Sequence, residues 1–399
     1  MNVLFLSPNF PPNFRHFCAA LRDEGATVLG VGDSQEPELG DEVRALLADY
    51  VCVPDMYNRY DDLRRAVESL IRRHGKIDRL DSLNEHWLEH EARLREDFDV
   101  FGQRLSDLAR NRRKLGMKDG FREAGVPVAP AEMVTSLDGA RMFARRHGFP
   151  VILKPDVGVG AVGVQRVNDM AQLEAAIGAQ PAPGTVIEAF VRGTILTFDG
   201  LIDRAGEILH CTSHVYSSGV MEIASGRLTM HYYSLRDLPP VLESHGRRIV
   251  KAFGVRERFV HIEFFLTGDG GAVPTDPFDP SAKYRALEIN VRPPGGWSID
   301  MMNYAADINL YRIWARLLVH NDASLKYQRK FHVAHVGRRH EIPYRTSSDE
   351  IRRNPGVAIL HAPVAPALWR PLMGDEVFLL GDPDLDRLKQ AIARAEEIR

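Results

Sequence analysis

The segment ALEINVRPPGG at residues 286–296 predicts a β-strand that ends in a tight turn. Its polar residues, Glu288, Asn290 and Arg292, occupy every second position and are separated by aliphatic residues. Because successive side chains point to opposite faces of a strand, the three polar side chains share one face and the aliphatic ones share the other. The glycine pair at the end of the segment favours close approach of the backbone to a ligand.

A second strand-like segment, FVHIEFF at residues 259–265, is the predicted neighbour of this strand and carries Glu263. A carboxylate from each strand and the amide oxygen of Asn290 would then form a set of hard oxygen ligands suited to Mg²⁺. Arg292, further along, fits a developing acyl-phosphate anion. The alternative is a solvated strand face, which explains Asn290 and Arg292 readily but explains the glycine pair less well.

Upstream, a lysine closes another predicted strand and is followed by a glycine-rich turn. Lys154 ends the apolar run 151–154, and residues 158–163 form the turn. The N–H groups of such a turn can approach the oxygens of a polyphosphate, and the lysine ammonium offsets their charge. The alternative is an ordinary tight turn between two strands.

The segment EAFVRG at residues 188–193 has the composition of a strand that leads into a hinge. An adenine ring needs a flat apolar slot whose edge offers backbone hydrogen-bonding groups, and such a segment supplies both. Taken alone, the segment fits an ordinary amphipathic strand end equally well.

The rest of the chain indicates three parts. The first hundred residues alternate between strand-like and helix-like periods, which predicts parallel βαβ units, and their first turn lacks the G-x-G-x-x-G pattern of a dinucleotide site. The middle of the chain becomes strand-rich, and the tail holds short strands and a closing helix. We expect an α/β and α+β chain with an N-terminal α/β domain at 1–110, a central domain at 111–320 that divides into 111–185 and 186–320, and a C-terminal lobe at 321–399.

Composition and charge exclude several classes of protein. Of the 399 residues, 44% are hydrophobic and 26% charged, and the formal net charge is -3, values typical of a soluble globular protein rather than a nucleic-acid or membrane-surface protein. The three cysteines, Cys18, Cys52 and Cys211, are too widely spaced for a disulfide framework or a structural zinc site. The apolar N-terminal run is short and lacks a basic region, so we expect a cytoplasmic protein without a signal peptide.

Taken in order, these segments resemble the ATP-grasp superfamily, from about residue 111 to 319. The run NRRKLGMKD at 111–119, which leads into AGVPV, is similar to the family's first nucleotide-binding lysine region. The length and the order of the parts are most similar to single-unit carboxylate–amine ligases that act on amino acids. The resemblance implies a Rossmann-like N-terminal lobe, a two-lobed ATP-grasp fold and a small C-terminal lobe.

The resemblance also implies roles for individual residues in binding ATP and Mg²⁺, with Mn²⁺ as a substitute. Lys114 would contact the α-phosphate side and Lys154 the α- and β-phosphates, Gly158, Gly160 and Gly163 would belong to a mobile phosphate lid, Glu188 would take the adenine amino group, and Phe190 and Val191 would line the hinge. Glu263, Glu288 and Asn290 would hold one or two metal ions, and Arg292 with Lys154 would act on the transferred phosphoryl group. The position of the family's usual ribose-binding acid is Ile195 here, and Asp199 on the same strand face is the candidate to replace it.

The activity that the resemblance implies is ATP-dependent joining of a carboxylate to an amine through an acyl phosphate, with release of ADP and phosphate. Two alternatives remain at this point: activation of bicarbonate, as in a biotin carboxylase, and a nucleotide-binding sensor without catalysis. Candidate substrate contacts are Asn84, Glu85, His214, Gly295 and Gly296, although a lone histidine such as His214 is more often structural. The expected partners are small carboxylates and amines, with a homodimer compatible and neither nucleic acid nor membrane involved.

Overall fold

The computed structural model describes residues 1–158, 162–178, 182–217, 230–268 and 273–399, and its N-terminal lobe is built on a four-stranded parallel sheet. The elements are β1 (Asn2–Leu6), α1 (Arg15–Asp23), β2 (Thr27–Gly32), α2 (Asp41–Leu46), β3 (Asp49–Cys52), α3 (Tyr60–His74), β4 (Arg79–Asp81), α4 (Leu88–Asp97) and α5 (Leu105–Arg112). The strand order is β3-β2-β1-β4, with β1 in the middle and its last four residues buried. This arrangement confirms the Rossmann-like lobe that the alternating periods predicted.

A second, antiparallel sheet of four strands follows. Its elements are α6 (Lys114–Glu123), β5 (Ala131–Met133), α7 (Leu137–His147), β6 (Val151–Pro155), β7 (Gln165–Val167), α8 (Met170–Ile177) and β8 (Thr185–Ala189), and the strand order is β5-β8-β6-β7. The turn after β6 holds the start of α6, because Asp156 accepts hydrogen bonds from the backbone N–H groups of Lys114 and Leu115. The first turn of α6 is therefore fixed beside the end of β6.

The largest sheet contains nine strands and runs through the rest of the chain. Its strands are β9 (Thr194–Ile202), β10 (Ile208–Thr212), β11 (His214–Tyr216), β12 (Met230–Ser234), β13 (Arg258–Thr267), β14 (Lys283–Asn290), β15 (His332–Arg338), β16 (Ala358–His361) and β17 (Glu376–Asp382). The strand order is β14-β13-β9-β11-β12-β15-β17-β16, with β10 also paired to β9. The helices are α9 (Pro240–Ala252), α10 (Ser298–Ala306), α11 (Leu310–His320), α12 (Ser348–Arg353), α13 (Arg370–Met373) and α14 (Leu385–Glu396).

The two faces of the large sheet differ in chemistry. Leu196, Phe198, Ile262 and Ile289 lie on one face and pack in one core with apolar residues of α6 and α9. On the opposite face, the middle of these strands carries polar and ionisable side chains: Thr197 and Asp199 on β9, His261 and Glu263 on β13, and Glu288 and Asn290 on β14. Period-two alternation therefore separates an apolar packing face from a polar face, and we call the latter the polar face.

The C-terminal residues contribute three strands to the large sheet. Strand β15 pairs with β12, with Tyr232 opposite His335, so β15, β16 and β17 continue the large sheet. The two paired segments are about a hundred residues apart, and local periodicity carries no sign of such a pairing. None of the helices among the described residues is long and apolar enough to cross a membrane.

Candidate functional site

Two glutamates face each other at the centre of the polar face. Strands β13 and β14 are antiparallel, and their register places Glu263 opposite Glu288 and His261 opposite Asn290. The pairing that the alternating pattern predicted is therefore present, and the two carboxylates and the amide lie on the same side of the sheet.

A lysine from the neighbouring lobe reaches this pair of glutamates. Lys114 Nζ, at the start of α6, lies 2.8 Å from Glu288 Oε2. Burial raises the pKa of Glu288; the Lys114 ammonium opposes the increase and the Glu263 carboxylate adds to it. Burial also disfavours ionisation of Glu263, but its contact with His261 and the charges of Arg292 and Lys114 outweigh burial and lower its pKa. Two close carboxylates are thus held in a partly buried, cation-rich environment.

The donor set fits a hard divalent cation. Among the residues that the structure describes, no group of three or more His, Cys, Asp or Glu side chains converges to hold a metal ion. Mg²⁺ in nucleotide sites is commonly held by one or two carboxylates together with water and phosphate oxygens. Glu263 and Glu288, with the amide of Asn290 beside them, match that pattern, and the mutual repulsion of the carboxylates is what a bound cation relieves.

A second buried ionic group joins two lysines to one glutamate. Lys154 Nζ lies 2.6 Å from Glu188 Oε2, and Lys118 Nζ lies 3.1 Å from the same oxygen. All three residues are less than 10% exposed. Burial opposes ionisation of Glu188, but the two ammonium charges outweigh it and lower its pKa. Lys118 on α6 and Lys154 on β6 therefore place two ammonium groups around Glu188, next to the polar face.

Lys118 is a site residue that the sequence analysis missed. It lies one helical turn after Lys114 on α6, so the two side chains share a face of the helix. Burial lowers the pKa of the Lys118 ammonium, and the charge of Glu188 opposes that decrease. The sequence signal that could have identified Lys118 is its position four residues after Lys114, a predicted nucleotide-binding lysine.

The predicted lid and hinge residues lie around Lys154. Gly163 has φ +74°, and a Cβ there would lie 3.0 Å from Pro155, so the turn favours glycine at this position. The carbonyl oxygen of Gly158 lies 3.4 Å from Lys114 Nζ, and Gly160 lies outside the described residues. Phe190, at the end of β8, lies under the guanidinium of Arg166. Val191 is the next residue.

Asp199, the candidate for the ribose contact, is fully buried on β9. It accepts hydrogen bonds from His261 Nδ1 at 2.6 Å, from His214 Nδ1 at 2.8 Å and from the hydroxyl of Thr197. Both carboxylate oxygens of Asp199 are thus occupied by protein donors. Ile195, two positions before Thr197, offers no hydrogen-bonding group on its side chain.

His261 links Asp199 to the glutamate pair. Its Nε2 lies 3.3 Å from Glu263 Oε1, while its Nδ1 donates to Asp199. Burial opposes protonation of His261, but the Asp199 and Glu263 carboxylates outweigh it and raise the pKa to about 9. At neutral pH the ring is therefore an imidazolium that donates to both carboxylates.

Arg292 joins the polar face to the N-terminal lobe. Its Nη2 lies 3.1 Å from Glu85 Oε2, although 207 residues separate the two. Asn84, beside Glu85, accepts a hydrogen bond from the backbone N–H of His86 and so fixes the turn that carries Glu85. Of the predicted substrate residues, Glu85 therefore contacts Arg292, and Asn84 stabilises the turn that carries it.

The glycine pair also contacts the N-terminal lobe. The carbonyl oxygen of Gly296 accepts a hydrogen bond from the side-chain amide of Asn13 at 3.0 Å. Gly296 has φ +62°, which favours glycine, and Gly295 is exposed. Of the remaining candidates, His214 is fully buried and bound to Asp199, so it lies behind the site.

Comparisons with known proteins agree with this geometry. Residues 114–202 match the family model "Carbamoyl-phosphate synthase L chain, ATP binding domain". The large chain of carbamoyl phosphate synthase from Streptomyces avermitilis is 27% identical over 160 residues, which cover 37% of this chain and 14% of that protein. The match thus spans about a seventh of the length of that curated relative.

Two solved structures share the whole architecture. L-amino acid ligase from Bacillus licheniformis aligns with a TM-score of 0.71 at 16% identity over 100% of this chain and 98% of that one. Biotin carboxylase from Campylobacter jejuni aligns with a TM-score of 0.69 at 14% identity over 98% of this chain and 89% of that one. The chain therefore has the ATP-grasp fold, and the segment matched by the family model contains Lys114, Lys154 and Glu188.

Proposed function

We propose that this ATP-grasp protein is an ATP-dependent carboxylate–amine ligase that forms an amide through an acyl phosphate. The observation that carries the proposal is the position of Glu263 opposite Glu288, with the Lys114 ammonium 2.8 Å from Glu288. Two adjacent carboxylates close to lysines of another lobe are suited to binding a polyphosphate together with its metal ion. A strand face with a purely structural role would not need this combination of charges.

In the first step, an oxygen of the substrate carboxylate attacks the γ-phosphorus of ATP. The bond between that phosphorus and the bridging oxygen breaks, and ADP leaves with the electron pair. Lys154 and Lys118 lie together at Glu188 and offset the negative charge of the phosphates, while Lys114 does so from the side of Glu288. These ammonium groups are held in place before reaction, so little reorganisation is needed.

Glu263, Glu288 and Asn290 would hold the metal ion. A metal ion held there would supply positive charge to offset the negative charge that develops on the phosphates. The two carboxylates are supplied by adjacent strands, so their separation is fixed by strand pairing rather than by a flexible loop.

In the second step, Arg292 and Glu85 act on the two substrates. The guanidinium of Arg292 binds an oxygen of the acyl phosphate, and Glu85 accepts a hydrogen bond from the incoming amine. The amine nitrogen attacks the acyl carbon, the bond from that carbon to the phosphate oxygen breaks, and the phosphate leaves with the proton of the amine. The ion pair between Arg292 and Glu85 supports these roles because it brings both groups to one point between the lobes.

The test is acid- and amine-dependent release of ADP. Purified protein with ATP and Mg²⁺ is presented with panels of amino acids and small carboxylic acids, singly and in pairs, and amide products are identified by mass spectrometry. We expect ADP release to require an acid and to yield an amide when an amine is present. Turnover that is independent of every acid, or binding of ATP without any turnover, would contradict the proposal and support the sensor alternative.

Activation of bicarbonate is a second candidate, favoured by the structural similarity to a biotin carboxylase and by the sequence match to carbamoyl phosphate synthase. The same residues would serve, with bicarbonate as the attacking acid. Isotopically labelled bicarbonate separates the two candidates: label in the product supports carboxylation, whereas an amide that contains only the two organic substrates supports the ligase.

A further inference from the structure

A chain of buried hydrogen bonds runs behind the glutamate pair. Asp199 lies at its centre, where one carboxylate oxygen accepts from His261 Nδ1 at 2.6 Å and the other accepts from His214 Nδ1 at 2.8 Å. Asp199 and His214 are completely buried, and His261 is nearly so. Solvent is excluded from these groups, so the bonds are not exchanged with water and their geometry is well defined.

Three strands supply this chain. Asp199 lies on β9 directly opposite His261 on β13, and His261 is in turn opposite Asn290 on β14. Thr197 makes two further hydrogen bonds, because its hydroxyl donates to Asp199 and accepts from the backbone N–H of His214. Asp199 is therefore held from β9 itself, from β11 and from β13.

This chain of hydrogen bonds ends at Glu263, a predicted metal ligand. With Nδ1 of His261 bound to Asp199, rotation of the imidazole ring is blocked, and its opposite edge presents Nε2 to Glu263 Oε1 at 3.3 Å. One oxygen of Glu263 is thereby occupied. The carboxylate is then oriented on the face that Glu288 shares, and no other side-chain hydrogen bond to Glu263 occurs among the residues that the structure describes.

We propose that Asp199 is a positioning residue that, through His261, holds the carboxylate of Glu263 in the orientation required to bind the divalent cation. This inference rests on the proposed metal role of Glu263 in the proposed function. It assigns to Asp199, His214 and His261 a part in metal affinity rather than in contact with ribose or substrate. Hydrogen bonds behind metal ligands fix ligand orientation, and their loss typically costs ~10–100-fold in metal affinity.

The test compares metal binding in Asp199→Asn with that of the unmodified protein. Asparagine keeps the size of the side chain but removes the charge and one acceptor oxygen. Mn²⁺ binding is followed by electron paramagnetic resonance in the presence of a non-hydrolysable ATP analogue, and the Mg²⁺ concentration for half-maximal turnover is measured separately. We expect both metal constants to rise by ~10–100-fold, with kcat at saturating Mg²⁺ changed less than the metal constants.

His261→Gln is the second variant, and it removes the link itself. Both substitutions interrupt the same chain of hydrogen bonds. The dissociation constant for Mn²⁺ in the double variant should therefore be no higher than in the more strongly affected single variant. The matched control is His210→Gln, since His210 is a buried histidine on β10 of the same sheet that forms none of these hydrogen bonds and lies with its ring tilted against that of Tyr327. The control should leave the Mn²⁺ constant unchanged.

Each outcome is informative. Unchanged Mn²⁺ affinity in folded Asp199→Asn and His261→Gln, an equal shift in His210→Gln, or fully additive single effects would overturn the inference. If the unmodified protein binds Mn²⁺ with the analogue but joins no acid to any amine, the proposed ligase activity fails while the metal measurement still decides the role of Asp199. A fall in kcat alone, at unchanged metal constants, would also overturn the inference.

Discussion

Glu288 is the residue at which the two functional lobes meet, because its carboxylate contacts Lys114 and faces Glu263. We predict that Glu288→Gln reduces turnover by at least ~100-fold, since the change removes the charge of a proposed metal ligand and leaves Lys114 without its carboxylate. The fold should persist, because glutamine has the same shape and the polar face is not the packing core. ADP release and thermal unfolding measure the two effects.

Glu207→Gln is the matched control for this substitution, because Glu207 is exposed just before β10 and lies away from the polar face. The control should retain full turnover. Retention of most activity in Glu288→Gln, with an intact fold, would count against the role assigned to the glutamate pair.

Lys118 supports a second prediction at the residue scale. In Lys118→Met, Lys154 is the lysine that still contacts Glu188 among the described residues, so the buried set loses one of its two positive charges. We expect the Kd for ATP to rise by roughly tenfold, in line with loss of one charge-assisted contact of ~1.5–3 kcal/mol that is partly replaced by Lys154. Calorimetric titration with ATP and Mg²⁺ measures this change.

The control for Lys118 is Arg122→Met, one turn further along α6, where the arginine is about half exposed and pairs with Asp119. Its ATP affinity should remain that of the unmodified protein. An equal effect of both substitutions would indicate that general positive charge on α6, and not the buried lysine, governs nucleotide affinity.

The sequence predicted the strand positions of single site residues better than it predicted their contacts. The alternation of Glu288, Asn290 and Arg292 predicted a shared face because the period of a strand is local. Asp199 was placed on the correct strand, but its two histidine partners are 15 and 62 residues away, and nothing local indicates them. A contact made by distant residues depends on which strands are neighbours, and that is a property of the whole sheet.

At the scale of elements, the pairing of β13 with β14 could be predicted from the sequence, whereas the pairing of β12 with β15 could not. The first pair is joined through one connection, and its two polar segments predicted the pairing. The second pair joins residues about a hundred positions apart, with Tyr233 opposite Ala334, and the C-terminal strands were expected to form their own lobe. Strand pairing between distant segments is decided by packing of the completed sheet, which periodicity does not encode.

The contact between β13 and the N-terminal lobe supports a prediction about elements. Arg258, at the start of β13, lies 3.1 Å from Asp81 at the end of β4 and 2.8 Å from Glu91 on α4, and all three are buried. In Arg258→Ala, Arg95 is the cation that remains in contact with the two carboxylates in the part of the chain that the structure describes. We expect a loss of ~3–5 kcal/mol in the free energy of unfolding, because an uncompensated buried charge remains.

Urea unfolding measures this loss, with Arg247→Ala as the control. Arg247 forms an exposed ion pair with Glu243 within α9, and such pairs contribute ~0–1 kcal/mol. Similar small losses in both variants would show that the buried cluster does not hold the N-terminal lobe to β13.

At the scale of the whole molecule, buried histidines predict how stability depends on pH. His335 stacks on Tyr232, and its burial lowers the pKa from 6.5 to about 4; burial and the charge of Arg329 lower the pKa of His210 to about 3. Below pH 6.5 the unfolded chain binds protons that the folded chain does not, so stability falls as the pH falls. Each histidine contributes ~1.4 kcal/mol per pH unit between its unfolded and folded pKa.

The variant His335→Phe keeps an aromatic ring in the stack and removes one of these protons. Thermal unfolding between pH 4 and 6.5 should show a flatter dependence on pH than in the unmodified protein, whereas His340→Gln, at an exposed position, should leave the dependence unchanged. An unaltered slope in His335→Phe would mean that His335 is protonated in the folded protein.

The function assigned to the whole molecule depends on transfer of the γ-phosphoryl group to a substrate carboxylate at the Glu263–Glu288 pair. The most direct measurement uses an acid found active by ADP release, with ¹⁸O in its carboxylate, followed by mass analysis of the phosphate. We predict one labelled oxygen in each phosphate released and loss of one label from the amide. Unlabelled phosphate, or label in AMP, would contradict an acyl-phosphate ligase.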